Sequence, residues 1–224
     1  TYQSESICPS QLQIPKNNFV FLFMFDFDSH VARKNPEAVI EAFKLAFPGL
    51  SSIPVTLVIK SINGERHEKE RNRLKNKIGC DSRILQIHEV LPHSINTALM
   101  KCCDCYVSLH RSEGFGLTMA EAMLLGKPVI TTGYSGNMDF TTTETALLVD
   151  YKLVPVQPGD YPFSHGEMWA EPNVQQACDY MRDLVKDSTF AKSLAQKGQE
   201  LIRTSFSTTT MGDRYKKRLS SLLS

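Results

Sequence analysis

The chain has 224 residues, a formal net charge of +1 at pH 7 and a pI of about 7.6. A chain of this length suits one large α/β domain, or a domain with a helical extension, and buries about 70% of its unfolded surface without disulfide or metal support. The near-neutral charge argues against a nucleic-acid role based on phosphate neutralisation, and the longest apolar run, 19–25, is too short to cross a bilayer.

Apolar runs alternate with amphipathic runs between residues 19 and 149. Strands are predicted at 19–27, 55–59, 83–88, 105–109, 128–132 and 146–149. Helices are predicted at 36–47, 65–76, 94–101 and 118–125, with Asn35 and Ser94 as N-caps. Nearly continuous apolar strands alternating with helices are typical of a parallel sheet covered on both faces. We therefore predict a Rossmann-like three-layer α/β fold that binds its ligand at the carboxyl ends of the strands.

The pattern changes after residue 150. Residues 151–172 form a predicted long loop that is rich in proline, glycine and aromatic residues and holds the only tryptophan, Trp169. Loops of this length in compact domains are typically functional loops or lids. Three helices are then predicted at 173–186, 188–204 and 207–222, with Asn173 and Ser207 as caps.

Metal binding is not indicated by the cysteines or the acidic motifs. Three of the six cysteines cluster as Cys102, Cys103 and Cys105, but no paired Cys-x-x-Cys completes a tetrahedral set. We interpret the cysteines as small buried hydrophobes in a reducing compartment. Asp26-Phe27-Asp28 is interpreted as the polar end of the first strand. The start at Thr1, without a methionine, leads us to expect a fragment or a processed chain.

The segment that points most directly to function is 108–121, Ser-Leu-His-Arg-Ser-Glu-Gly-Phe-Gly-Leu-Thr-Met-Ala-Glu. A strand feeding a helix through a glycine turn creates an anion site, because free backbone N–H groups and the positive end of the helix dipole converge there. Glu113 and Glu121 flank this turn, and a carboxylate would repel a phosphate. We therefore expect both to accept hydrogen bonds from sugar hydroxyls. Neither a Gly-x-Gly-x-x-Gly motif nor a P-loop occurs in the sequence.

The run 112–123, followed by Gly-Lys-Pro-Val-Ile at 126–130, resembles the Glu-x7-Glu signature of retaining GT-B glycosyltransferases, in particular glycosyltransferase family 4 (glycosyl transferases group 1). The resemblance covers nearly all of 19–222, including Arg33-Lys34-Asn35-Pro36 and Tyr134-Ser135-Gly136-Asn137. It implies the C-terminal, donor-binding half of a two-domain fold. Residues 1–18 are then a linker or part of a preceding domain, 19–204 the nucleotide-sugar-binding domain, and 205–224 a helix that packs toward the missing N-terminal domain.

The resemblance also implies roles for particular residues. Glu113 is expected to bind hydroxyls of the transferred sugar, Glu121 the ribose, and the amides of 115–118 the diphosphate or the sugar. Lys34 is expected to neutralise the leaving diphosphate, so Glu113 and Lys34 are the predicted catalytic residues. The turn 88–91 is expected to pair with the base. The complete predicted donor site is Ser29, Arg33, Lys34, Lys60, His88, Val90, Leu91, His110, Glu113, Gly114, Phe115, Gly116, Leu117, Thr118 and Glu121.

The sequence departs from the family at one phosphate-binding position. The family usually places an arginine five or six residues before the lysine, whereas this position falls near Ser29 here. The second positive charge is expected from Arg33, Lys60 or the absent domain, and Ser29 would donate only a hydroxyl hydrogen bond.

Structural roles are the alternative for several of these residues. Glu113 could complement a helix dipole, Glu121 could bond to nearby backbone, and Lys34 could be a surface charge at the start of a helix. His110 could be an imidazole bonded to backbone beneath the site, and Ser135-Gly136-Asn137 is expected to face the sugar or the acceptor.

The function implied by the resemblance is transfer of a hexose from a UDP- or GDP-sugar, such as GDP-mannose, to a glycan or lipid-linked acceptor. It requires no metal and no cofactor, and the fragment alone is expected to be inactive. The family suggests polysaccharide biosynthesis in the cytoplasm, at the inner face of the membrane, with peripheral membrane association through the full-length protein. The alternatives are a non-catalytic nucleotide-sugar-binding regulatory or scaffold module, and a flavodoxin-like binder of another phosphate ligand.

Overall fold

The computed structural model describes residues 12–15, 17–49 and 53–223. Six strands of this part of the chain form one parallel sheet in the order β3-β2-β1-β4-β5-β6. They are β1 (Phe19–Asp26), β2 (Val55–Ile62), β3 (Ile84–His88), β4 (Cys105–Ser108), β5 (Val129–Thr132) and β6 (Leu147–Val149). The strand order reverses between β1 and β4, so their carboxyl ends border the crevice where such sheets bind ligands. The predicted Rossmann-like sheet is confirmed.

Helices cover both faces of the sheet. They are α1 (Val31–Lys34), α2 (Pro36–Ala46), α3 (Glu68–Ile78), α4 (His93–Cys102), α5 (Leu117–Leu124), α6 (Val174–Lys186), α7 (Ser188–Ser205) and α8 (Thr208–Leu223). One apolar core lies between the sheet and α2, α3 and α6. The second core lies between the sheet and α4, α5 and the end of α7.

Strand β1 shows why the sheet is a rigid base for the site. Phe21 and Phe23 point to the first core and Leu22 points to the second, and all three side chains are buried. Each buried side chain of this size stabilises the fold by about 1.5–3 kcal/mol. The polar residues that follow β1 and β4 are thus mounted on a sheet held from both sides.

One predicted helix cap, Ser94, is wrong, and the other is correct in position only: Asn35 occupies the N-cap position of α2, directly before Pro36. The short helix α1 precedes α2, and Asn35 ends α1 by donating its backbone N–H to the Val31 carbonyl at 2.8 Å. Asn35 therefore adopts a left-handed conformation with φ of 53°, and its side chain makes no cap bond to α2. Helix α4 begins at His93, one residue before Ser94, and Pro92 occupies the cap position.

The predicted loop at 151–172 is largely an antiparallel hairpin. Its strands are β7 (Tyr151–Pro155) and β8 (Met168–Pro172), joined by 156–167. The Ala170 N–H donates to the Arg111 carbonyl at 3.0 Å, which ties the hairpin to the segment after β4. The loop prediction gave too much weight to the turn-forming residues, because pairing between strands supplies the backbone bonds that local sequence does not reveal.

The C-terminal caps are confirmed. The Asn173 side chain accepts a hydrogen bond from the Gln176 N–H at 3.1 Å, and the Ser207 hydroxyl accepts one from the Thr210 N–H at 3.1 Å. Helix α8 has no buried residue. Most of the predicted linker, 1–11 and residue 16, lies outside the described residues.

The cysteines of the described part are free thiols. Cys103, Cys105 and Cys178 are buried as expected, and burial raises the pKa of Cys103 to about 12. Cys80 is exposed, contrary to the expectation, and Cys8 lies outside the described residues. Across 12–15, 17–49 and 53–223, no group of three metal-binding side chains occurs, and no helix is long and apolar enough to cross a membrane.

Candidate functional site

The turn that joins β4 to α5 presents unused backbone donors at the carboxyl edge of the sheet. Within the described residues, none of the backbone N–H groups from Gly114 to Thr118 donates a hydrogen bond. Gly116 precedes α5 with φ of 92°, and a Cβ there would overlap the Met119 side chain. Free amides at the start of a helix form a site for an anion, as the sequence predicts.

The turn after β5 supports this first turn. The Ser135 hydroxyl accepts a hydrogen bond from the Glu113 N–H at 2.7 Å, and the Gly136 N–H donates to the Glu113 carbonyl at 3.0 Å. A Cβ at Gly136 would overlap the Gly114 carbonyl oxygen, so only glycine allows this approach. Ser135 adopts φ of 74°, a strained conformation for a residue other than glycine, and such strain is concentrated at functional sites.

Glu113 lies between two cations that helix α1 supplies. Its Oε1 is bonded to Lys34 Nζ, and its Oε2 lies 3.4 Å from a terminal nitrogen of Arg33. Arg33 is held in place because its guanidinium also donates to the carbonyls of Ser29, at 3.1 Å, and Ser112, at 2.9 Å. Burial alone would raise the pKa of Glu113, but Lys34 and Arg33 outweigh it and the pKa is lowered. Glu113 is therefore ionised at neutral pH.

Glu121 differs from Glu113 because its carboxylate is unoccupied. It lies half-buried on α5, and no donor or cation of the described residues bonds to it. Burial raises its pKa, although nearby His93 opposes this effect. A partly desolvated carboxylate with free lone pairs is a strong acceptor for ligand hydroxyls.

His110 lies beneath the turn with both ring nitrogens engaged. It is fully buried; its Nε2 donates to the Tyr134 carbonyl at 3.2 Å and the Asn137 Oδ1 at 3.1 Å, while Nδ1 accepts from Ser108 at 3.0 Å. Burial is the main effect on its pKa, which is lowered, so the ring is neutral. This is the structural alternative considered for His110, and it supports the turns rather than opening toward a ligand.

Lys60 is separated from the Glu113 cluster. It is buried within β2, burial lowers its pKa, and the charged group that opposes this effect is Asp26. Its Nζ makes no hydrogen bond or ion pair with the rest of the described chain. Of the cations considered for the second positive charge, the structure brings Arg33, and not Lys60, next to Lys34 and Glu113.

The turn after β3 lies at the same edge of the sheet. His88 ends β3, its Nδ1 is 2.7 Å from the Ser61 hydroxyl, and burial lowers its pKa. The Val90 side chain is 77% exposed, and its backbone groups form no bond within the described residues. The Leu91 carbonyl accepts from the Asn96 side chain at 3.1 Å. Val90 thus has the free backbone groups that recognition of a base edge requires.

The remaining predicted residues surround the turn. The Ser29 carbonyl orients Arg33, and Thr118 accepts a hydrogen bond from the Tyr106 hydroxyl at 2.8 Å. The Phe115 ring packs 4.9 Å from that of Phe140, and Leu117 is 64% exposed.

Sequence reasoning did not identify Arg111 as part of the site. Its guanidinium donates to the Ala32 carbonyl at 2.6 Å and to the Glu171 carboxylate at 2.6 Å, and it lies 5.4 Å from the Trp169 ring centroid. These bonds fix α1 to the hairpin. Glu171 lies sixty residues away in the chain, so no local pattern predicted the pair.

The turn 135–137 was expected to face the sugar or the acceptor, and the structure excludes this for Asn137 only. Asn137 is fully buried, and its amide donates to the Thr132 carbonyl at 3.0 Å. Ser135 and Gly136 are partly exposed, and the Ser135 hydroxyl accepts from the Glu113 backbone N–H. The motif at 134–137 indicated that these residues belong to the site, but the sequence does not distinguish a residue that supports the turn from one that faces a ligand.

Comparison with known proteins gives a consistent fold. A family model described as "Glycosyl transferases group 1" matches residues 8–201. Anabaena Alr3699/HepE, solved with UDP and glucose, superposes with a TM-score of 0.70 at 22% identity, over 95% of this chain and 50% of that one. The C-terminal domain of LpcC from Francisella tularensis gives 0.67 at 22% identity, over 89% and 91% of the two chains.

A glycosyltransferase from Rickettsia africae ESF-5 gives a TM-score of 0.73 at 17% identity, over 96% of this chain and 51% of that one. No match was found among curated proteins. The chain spans about half the length of HepE and of the Rickettsia protein. The predicted fold, the C-terminal half of a GT-B protein, is confirmed.

Proposed function

The chain belongs to the glycosyl transferases group 1 family, and from this premise we propose that it is the donor-binding half of a retaining glycosyltransferase of family 4. The enzyme transfers a hexose from a UDP- or GDP-sugar to a glycan or lipid-linked acceptor. The other half of the GT-B protein completes the cleft, so the present chain binds the donor and turns over little. The reaction needs no metal or cofactor.

One observation carries this proposal. Two carboxylates, Glu113 and Glu121, flank a turn whose amides from Gly114 to Thr118 have no internal acceptor. The amides suit a diphosphate, and the carboxylates suit hydroxyl groups on either side of it. A nucleotide-sugar has this order of groups, because its diphosphate lies between a ribose and a hexose.

Lys34 and Arg33 are the groups that assist departure of the nucleoside diphosphate. In the free chain they neutralise Glu113. When donor binds, Glu113 accepts bonds from the sugar, and the two cations become available to the diphosphate as its negative charge grows. Preorganised charges and amides of this kind contribute several kcal/mol to transition-state stabilisation. Arg33 takes the role for which the family usually has an arginine near the position of Ser29.

UDP is the first donor nucleotide to test. HepE has been solved with UDP and with UDP-glucose, which favours UDP over GDP for a chain of the same fold. We propose that the free backbone groups of Val90 contact the base and that Glu121 accepts hydrogen bonds from the ribose hydroxyls.

The domain arrangement follows from the same proposal. Helix α8 exposes Tyr215, Leu219 and Leu222, and it buries none of its residues in the present chain. We assign residues 205–224 to contact with the N-terminal half, and residues 1–18 to the connection with it. The complete enzyme then works in the cytoplasm, at the inner face of the membrane.

Calorimetry with UDP, GDP, UDP-glucose and GDP-mannose tests the proposal on the chain itself. We expect one nucleotide to bind, and we expect Glu121→Gln to weaken that binding. Absence of binding to any nucleoside diphosphate would refute the function. Donor binding without transfer in the complete two-domain protein would favour a non-catalytic module instead.

A further inference from the structure

A second cleft lies on the far side of α1 from Glu113. Its volume is about 880 Å³, and it is bounded by α1, the N-terminal ends of α2 and α3, and the β7–β8 hairpin with its loop. We call it the hairpin cleft. Glu113, Glu121 and Lys34 do not line it. Its volume lies within the range of about 300–1,000 Å³ that is typical of ligand sites.

The charge of the hairpin cleft argues against a phosphate ligand. Its carboxylates outnumber its lysine and arginine side chains: Asp28, Glu37, Glu70, Asp160 and Glu171 against Lys69, Arg73 and Arg111. Two of the cations are already paired within the cleft, since Arg111 contacts Glu171 at 2.6 Å and Arg73 donates to Glu37 at 3.0 Å. Glu70 and Asp160 form no ion pair within the described residues. A neutral polyol would use these carboxylates as acceptors, whereas an anion would be repelled.

Apolar surface lies between these polar groups. Pro36, Pro155, Pro158 and Trp169 line the same cleft. The exposed rings of Pro155 and Pro158 suit the C–H faces of pyranose sugars, while the carboxylates and guanidinium groups suit the hydroxyls at their rims. Pro36 and Trp169 are buried in the wall of the cleft, where Arg111 packs against the Trp169 ring. Such alternation of apolar patches with a few fixed polar groups is typical of small-molecule sites.

Asn35 provides a further donor at this wall. It lines the hairpin cleft and is 3% exposed, yet its Nδ2 has no acceptor. A buried donor without a partner costs about 1–3 kcal/mol. Its left-handed backbone holds the residue in place between α1 and α2. Because the Nδ2 atom is itself covered, a ligand hydroxyl would satisfy the amide only by displacing the side chains that cover it.

We propose that the hairpin cleft binds a neutral oligosaccharide, the acceptor glycan. This inference rests on the proposed function and adds to it a binding site for the acceptor. Helix α1 separates the two sites: Val31, Ala32 and Asn35 line the hairpin cleft, whereas Arg33 and Lys34 contact Glu113. A glycan in the cleft therefore lies one helix turn from the residues that hold the donor sugar.

Trp169 allows a direct test, because it is the only tryptophan in the chain and lines the cleft. The 224-residue chain is titrated with three neutral trisaccharides, maltotriose, mannotriose and triacetylchitotriose, and with inorganic pyrophosphate. We expect at least one trisaccharide to change the Trp169 fluorescence saturably, with millimolar affinity. Calorimetry with UDP on the same sample tests the donor site separately.

The double variant Glu70→Gln/Asp160→Asn removes the two unpaired carboxylates without changing side-chain size. We expect it to weaken trisaccharide binding about tenfold, because charged acceptors become neutral ones, and to leave UDP binding unchanged. The matched control Glu68→Gln/Asp213→Asn changes exposed residues outside the cleft and should bind like the wild type.

Three results would overturn the inference. The first is a chain that binds UDP but shows no fluorescence response to any trisaccharide. The second is a response to pyrophosphate rather than to a sugar, and the third is equal trisaccharide affinity in the wild type and in Glu70→Gln/Asp160→Asn. Failure of UDP binding would instead refute the proposed function.

Discussion

Glu121 should have opposite effects on the stability of the free chain and on its affinity for nucleotide. Its carboxylate is half-buried, has no partner among the described residues, and has a pKa that burial raises. A carboxyl whose folded pKa lies above its unfolded pKa stabilises the fold at low pH, and this contribution is lost as the pH rises through the folded pKa. At pH 7.5 the ionised Glu121 therefore destabilises the free chain, and Glu121→Gln should unfold at a higher temperature.

The same substitution should weaken UDP binding. Hydrogen bonds to a charged group contribute about 1.5–3 kcal/mol, against about 0.5–1.5 kcal/mol for neutral pairs. If Glu121 accepts two ribose hydroxyls, the amide loses about 2–3 kcal/mol, which corresponds to a Kd roughly 30- to 150-fold higher. In the wild type, affinity should fall as the pH is lowered toward the raised pKa of Glu121, whereas the affinity of Glu121→Gln should change little.

Calorimetric titration with UDP and thermal unfolding, each at pH 5.5 and 7.5, measure both effects. Glu68→Gln is the control, because Glu68 is an exposed carboxylate on α3 that lines neither site. The reasoning is refuted if Glu121→Gln binds UDP within about threefold of the wild type, or if it is less stable than the wild type at pH 7.5.

Three further predictions concern Glu113 and its surroundings. Glu113→Ala in the two-domain protein should abolish hexose transfer and leave UDP binding measurable by calorimetry; persistent transfer would exclude a sugar-binding role. Lys34→Ala removes the main cation that lowers the pKa of Glu113. A carboxyl with a lowered pKa stabilises the folded chain, and this stability is lost as the pH falls through that pKa. Below about pH 5, the variant should therefore lose less stability in acid unfolding than the wild type does. Gly136→Ala should lower stability by about 2 kcal/mol or more, since its methyl group would overlap the Gly114 carbonyl, and a scanning calorimeter should show a lower Tm. Gly114→Ala, which meets no atom within 4 Å, should leave the Tm within about 2 °C of the wild type.

Much of the fold was predictable because it depends on local periodicity. The apolar runs of β1 and β4 are buried on both faces, and this requirement leaves a continuous pattern in the sequence. The glycine turn at 114–116 was also recognisable, since a strand–turn–helix junction needs residues that free the backbone. The boundaries shifted where a neighbouring element decided them: Asn35 ends α1 as well as preceding α2, and pairing with Asp26 of β1 extended β2 to Ile62.

The candidate site was predictable in its residues but not in its contacts. The signature motif indicated Glu113 and Glu121, yet only the tertiary structure distinguishes the paired carboxylate from the unoccupied one. The approach of α1 to the turn after β4 decides that Arg33, and not Lys60, joins Lys34.

The sequence by itself determined the alternation of strands and helices, the position of the glycine turn and the identity of its flanking carboxylates, because each depends on residues near one another in the chain. Tertiary structure alone decided the Arg111–Glu171 pair, the support of Glu113 by Ser135 and the hairpin cleft. The first two join residues 60 and 22 positions apart, and the hairpin cleft joins residues 27–37 to residues 154–171. Such contacts form only when the strands set the distances between the loops at the edge of the sheet.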